Sequence, residues 1–184
     1  MTSSLWWFVS RGSGLVLLVT LSAALVLGLL ARARRCGGAA SLALQSLHRA
    51  MALLGLLLLT VHVATVVVDS YVDIRWWDAV VPALAAYRPV PLGLGTLALD
   101  LVLLAAVTGL LRARLPEGVW RSAHALVFPA WVVAVVHGLV LGPDASARMG
   151  RGLVLACTAS VALAAVVSFG PRAWGRRTLA RASR

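Results

Sequence analysis

Apolar residues gather in five long runs, at residues 12–30, 47–68, 90–111, 120–141 and 151–169, each bounded by arginine, proline or glycine. About 20 apolar residues make a helix long enough to cross the hydrocarbon layer. A span in lipid must satisfy its backbone groups internally, which leaves helices or a closed barrel. None of the runs shows the ten-residue in-out alternation of barrel strands. The pattern therefore predicts an all-α integral membrane protein, a bundle of five transmembrane helices. A short interfacial segment is expected between the second and third spans.

Composition agrees. Of 184 residues, 61% are hydrophobic and 12% charged, against about a quarter charged in soluble domains. The chain reads as a single domain over 1–184, with a core at 11–170 and a basic tail at 171–184. That length leaves no room for a separate soluble catalytic domain. Ala31-Arg32-Ala33 resembles a cleavage site after an apolar core. The run before it is long for a signal peptide, however, and four more spans follow, so it is read as a span.

Charge changes the picture by fixing orientation. All 17 basic residues are arginine. Twelve crowd the first connection (Arg32, Arg34, Arg35, Arg49), the third (Arg112, Arg114, Arg121) and the tail (Arg172, Arg176, Arg177, Arg181, Arg184). The other five, Arg11, Arg75, Arg88, Arg148 and Arg151, are thinly spread, and the intervening loops also carry Asp69, Asp73, Asp78 and Asp144. The positive-inside rule puts the N-terminus outside and the tail inside. Topology and attraction to anionic lipid account for the net charge of +11 without nucleic acid. The connection over 69–89 mixes Trp76 and Trp77 with Asp73, Arg75 and Asp78, and suits either a short helix in the headgroup layer or an anchored loop. Cys36 falls in an inside loop and Cys157 in the fifth span, so no disulfide is expected.

The candidate chemistry lies in the four histidines. His48 and His62 are fourteen residues apart in the second span, His124 and His137 thirteen apart in the fourth. Fourteen helical residues rise about 21 Å and return to within about 40° of the same face. Thirteen leave the second side chain about 140° out of line on a straight helix, but Pro129 interrupts the fourth span and can rewind it. Both spans run in the same direction, so His48 and His124 share one depth and His62 and His137 another. Neutral imidazoles on facing helices can fill both axial positions of a haem iron, which favours electron transfer over binding at the metal. Zinc suits the pattern less well, since each layer offers two nitrogens and no neighbouring thiolate or carboxylate.

Here the chain resembles the ferric reductase-like transmembrane domain shared by ferric reductases, NADPH oxidases and the haem-binding subunit of methionine sulfoxide reductase systems. The likeness runs from Arg11 to about Asp144. It rests on the fourteen and thirteen spacings, on Leu47-His48-Arg49, Tyr87-Arg88-Pro89 and Leu97-Ala98-Leu99-Asp100, and on Trp120-Arg121-Ser122-Ala123-His124 before His137-Gly138. It implies two haem b groups, the inner held by His48 and His124 and the outer by His62 and His137. Electrons would pass from a donor protein, a partner's flavin or a quinol on the inner side to an extracytoplasmic acceptor across the cell membrane. Two departures are expected to matter. The chain stops about fifteen residues after Phe169, without a flavin and nicotinamide domain, and a sixth N-terminal span common in the family is not found.

Arg49 and Arg121 beside the inner ligands, and Arg11, Arg75 and Arg88 on the outer side, are candidate partners for haem propionates. Asp100, ten residues into the third span, is costly in lipid unless paired, protonated or wet, and is assigned either to proton movement or to a structural hydrogen bond. Thr108 and Gln45 are left equally open. Gly55, Gly93, Gly95 and Gly109 are expected to allow close helix approach or room for a flat ring, and Trp131 to pack the core. Two alternatives stand beside the cytochrome reading: a haem-free transporter or proton relay using the histidines and Asp100, and a structural membrane subunit.

Overall fold

A computed structural model describes residues 2–33, 38–69, 74–82 and 85–170. Within them the chain forms α1 (Thr2–Ala33), α2 (Ala39–Val68), α3 (Pro89–Leu110), α4 (Glu117–Ala125), α5 (Val127–Leu141) and α6 (Arg148–Phe169). Single 3-10 turns stand at Trp76–Ala79 and Pro143–Ser146, and there is no strand among the described residues. Five stretches are long and apolar enough to cross a membrane, α4 and α5 together making the fourth. The five-span, all-α architecture is thus the one the hydropathy pattern predicts. Arg34, Arg35, Cys36, Asp73, Leu84 and the tail at 171–184 lie outside the described residues.

α1 and α2 start earlier than their apolar runs, at Thr2 and Ala39 rather than near 12 and 47. A helix need not end where the hydrocarbon ends. The 32 residues of α1 extend about 48 Å at 1.5 Å per residue, well beyond a core of about 30 Å. The fourth span, by contrast, is broken. Pro129 has no N–H to give the Ala125 carbonyl, and its ring crowds that oxygen. The chain makes a tight turn at Leu126, whose N–H returns to Ala123 O at 3.2 Å, and α5 resumes with Ala130 N–H on Leu126 O at 3.0 Å.

The helices pair as two hairpins, α1 with α2 and α3 with α4 and α5, while α6 lies along α1. Lipid gives helices no hydrophobic reason to associate, so close packing and interhelical hydrogen bonds must do so. Ala130 is fully enclosed, among Leu17, Leu59 and Val102 from three other helices. Gly55 lets α2 come against Leu21 and Thr20 of α1, where an added methyl would sit 3.4 Å from Leu21 Cδ2. A second cluster, Leu25, Trp131, Cys157 and Val161, joins α1, α5 and α6. Trp131 Nε1 donates to Ser22 Oγ at 2.9 Å, and that hydroxyl donates to Leu18 O at 2.7 Å. Ser168 Oγ donates to Leu29 O at 2.8 Å, fastening the far ends of α6 and α1. Large side chains such as Leu53, Leu57, Leu103, Leu155 and Leu163 point outward, as lipid-facing surface requires.

Among the described residues of the interfacial connection, the regular structure is one 3-10 turn at Trp76–Ala79. The Asp78 carboxylate accepts the Arg75 N–H at 2.9 Å, and the Thr96 hydroxyl donates to the Asp78 carbonyl at 2.8 Å, pinning the turn to α3. At the start of α3, Arg88 has φ 41°, a left-handed conformation rare outside glycine. The following Pro89 disfavours the right-handed helical region at this position. So placed, Arg88 donates to Val140 O at the end of α5, 3.3 Å away.

Candidate functional site

All four histidines point into the bundle and make the same hydrogen bond. Nδ1 of His62 lies 2.9 Å from Ser10 O and that of His48 2.8 Å from Ala24 O, both on α1. Nδ1 of His137 lies 2.8 Å from Pro91 O and that of His124 3.0 Å from Ala105 O, both on α3. A carbonyl only accepts, so each ring must carry its proton on Nδ1 and keep the Nε2 lone pair free. This is how proteins orient metal-binding histidines: the second nitrogen is tied to a carbonyl or carboxylate, and the first faces the metal.

A glycine stands behind each ring, four residues after the accepting carbonyl. A methyl group there would lie 3.0 Å from His62 Cε1 at Gly14, 3.2 Å from His48 Cε1 at Gly28, 2.5 Å from His137 Cε1 at Gly95 and 3.6 Å from His124 Cε1 at Gly109. At three of the four, a side chain would press the imidazole away from its carbonyl. Gly95 and Gly109, expected to allow close helix approach or room for a flat ring, instead stand against the imidazoles of His137 and His124. Gly14 and Gly28 were missed, although a signal was present. They are fourteen residues apart, as are Gly95 and Gly109, matching the step between His48 and His62. In an antiparallel hairpin, a step along one helix is matched by an equal step back along the other. The thirteen-residue step on the fourth span fits the same ladder because the turn at Leu126 absorbs the difference.

The rings meet in two layers. His48 and His124 face each other with centroids 6.2 Å apart and planes at 81°. His62 and His137 line one cavity of about 350 Å³, within the range of small-molecule and cofactor sites. Leu17, Leu21, Leu59, Leu99 and Val102 line it together with Trp7, Arg11, Asp69, Asp78, Tyr87 and Asp144. Among the described residues no group of three or more His, Cys, Asp or Glu is placed to hold a metal ion, so each layer offers two imidazoles. No model of a known protein family, no curated protein and no solved structure matches this chain.

The charged candidates are more scattered. Arg11 reaches the cavity mouth but is paired with Asp144, its Nε 2.8 Å from Oδ2 and a second bond from the guanidinium to Oδ1. It also stacks 4.0 Å over the Trp7 ring. Arg88 is engaged with the α5 carbonyl, Arg121 pairs with Glu117 one turn away on an exposed face, and Arg49 is exposed. Arg75 lies 5.4 Å over Trp77. Asp100 is half-buried, does not line the cavity and makes no side-chain hydrogen bond among the described residues. Thr108 bonds within its own helix, to Leu104 O and Ala105 O at 2.8 and 3.1 Å, and Gln45 to Ser41 Oγ at 3.3 Å.

Proposed function

We propose that this protein is a dihaem cytochrome b of the ferric reductase-like kind, carrying electrons across the cell membrane between a separate donor and an acceptor on the opposite face. The observation that carries the reading is the fourfold repeat of one arrangement: imidazole, carbonyl on Nδ1, glycine behind, Nε2 free. Packing histidines need no such uniformity. The spacing of the lower layer also fits. The facing rings of His48 and His124, with centroids 6.2 Å apart, are close enough for both to hold one group between them. The cavity of the other layer, lined largely by leucine and valine, suits a flat apolar ring.

When bound, haem would supply a one-electron couple. His48 and His124 would hold one group, His62 and His137 the other, with about 21 Å of helix between the layers. The carbonyls of Ser10, Ala24, Pro91 and Ala105 fix the orientation of each ring. The leucines and valines around them exclude water. Of the arginines, Arg11 is the one that lines the cavity, where its charge is matched by its partner Asp144. The arginine-rich connections put the His48 and His124 layer on the inner side. A proton relay through the histidines and Asp100 is the weaker reading, since Asp100 stands outside the cavity and the imidazole Nδ1 protons are committed to backbone oxygens.

Function is tested in proteoliposomes holding ferricyanide and exposed to dithionite outside. The trapped oxidant should bleach many times faster than in protein-free vesicles, and a His62→Ala, His137→Ala protein should lose that advantage. Equal rates with and without the protein would reject electron transfer.

A further inference from the structure

Trp120 precedes His124 by one turn of α4, and the two rings lie stacked, with centroids 5.7 Å apart and planes at 21°. The Arg112 guanidinium covers the indole, 4.5 Å from its centroid. The Trp120 Nε1 atom is closed off from solvent and finds no acceptor among the described residues. Trp131, the indole at the centre of the bundle, shows the ordinary solution by donating to Ser22. A buried N–H without an acceptor is uncommon in folded proteins and calls for an occupant. A donor beside a guanidinium favours an anionic acceptor.

We propose that Trp120 is a positioning residue of the lower site, its N–H donating to a carboxylate of the porphyrin held by His48 and His124, while its ring holds the plane of His124. The inference rests on the dihaem reading and adds an interaction that reading does not require. Arg112 belongs to the same device, keeping the indole against the imidazole and adding positive charge near the carboxylate.

The test is redox titration of W120F, which keeps an aromatic face against His124 and removes the donor. Two haems per chain should remain. The potential of the lower haem should fall, because the carboxylate loses its donor and its negative charge bears more fully on the iron. The upper haem should be unmoved. A merely structural role for Trp120 would leave both potentials as they were, and that result overturns the inference while sparing the dihaem reading. If wild-type protein binds no haem, both fall. Should W120F fail to fold, ultraviolet resonance Raman of the wild type decides. Of seven tryptophans, one should show a stronger N–H hydrogen bond after haem loading, and an unchanged band overturns the inference.

Discussion

At the scale of single residues, a methyl group is the smallest probe of the histidine sites. Gly95→Ala would set a carbon 2.5 Å from His137 Cε1, whereas Gly109→Ala would make an ordinary 3.6 Å contact and Gly12→Ala would meet nothing within 4 Å. In a helix, glycine to alanine is favourable by about 1 kcal/mol, so lost haem could not be blamed on a weakened helix. Haem per chain should fall to about half for Gly95→Ala and stay unchanged for the other two; equal content in all three would contradict the arrangement. His62→Ala should likewise remove one haem and leave the other detectable, whereas equal loss of both would refute the separate layers. The histidines were legible because their periodicity lies along one helix. Gly14 and Gly28 were not, because what they do is defined by a partner helix. The same holds for Arg11 and Asp144, an ion pair between residues 133 apart in sequence.

Helices were legible where hydropathy alone decides and illegible where backbone chemistry does. Five apolar runs give five spans, but the ends of α1 and α2 continue into the headgroup region, where polarity no longer marks a boundary. The interfacial tryptophans suit either a short helix or an anchored loop, and the described part holds a 3-10 turn in which the Asp78 carboxylate accepts the Arg75 N–H and Thr96 pins the turn to α3. Pro129 predicts a disturbance without its form, which is a break at Leu126. Pro129→Ala should restore the missing hydrogen bond, and since proline inside a helix costs about 3 kcal/mol, thermal stability in detergent should hold or rise. His124 would then turn away from the register of His137, and one of the haems should be lost or become high-spin in absorption. Unchanged haem spectra would show that the break is not what aligns the pair. Between α1 and α5, Ser22→Ala would strand the Trp131 N–H and should cost about 1–3 kcal/mol, more than Trp131→Phe loses from the hydrogen bond alone. Melting curves of the two variants check the order.

The whole molecule is two hairpins of like design, each with one helix offering glycines and carbonyls and one offering histidines, with α6 packed against the first. In the sequence that symmetry is carried only by the shared glycine and histidine spacings, because the hairpins have little wording in common. The arginine-rich connections imply that residue 113 faces the inner compartment and residue 80 the outer. In a protein lacking Cys36 and Cys157, Val80→Cys should react with an impermeant thiol reagent on intact cells, and Ala113→Cys only after permeabilisation; the reverse would invert the direction of electron flow. The most direct measurement is the absorption spectrum of the purified protein, expressed with ample haem and reduced with dithionite. The paired imidazoles predict about two haems per chain, both low-spin and six-coordinate, with a sharp α-band. A colourless protein, or one carrying five-coordinate high-spin haem, would contradict the account.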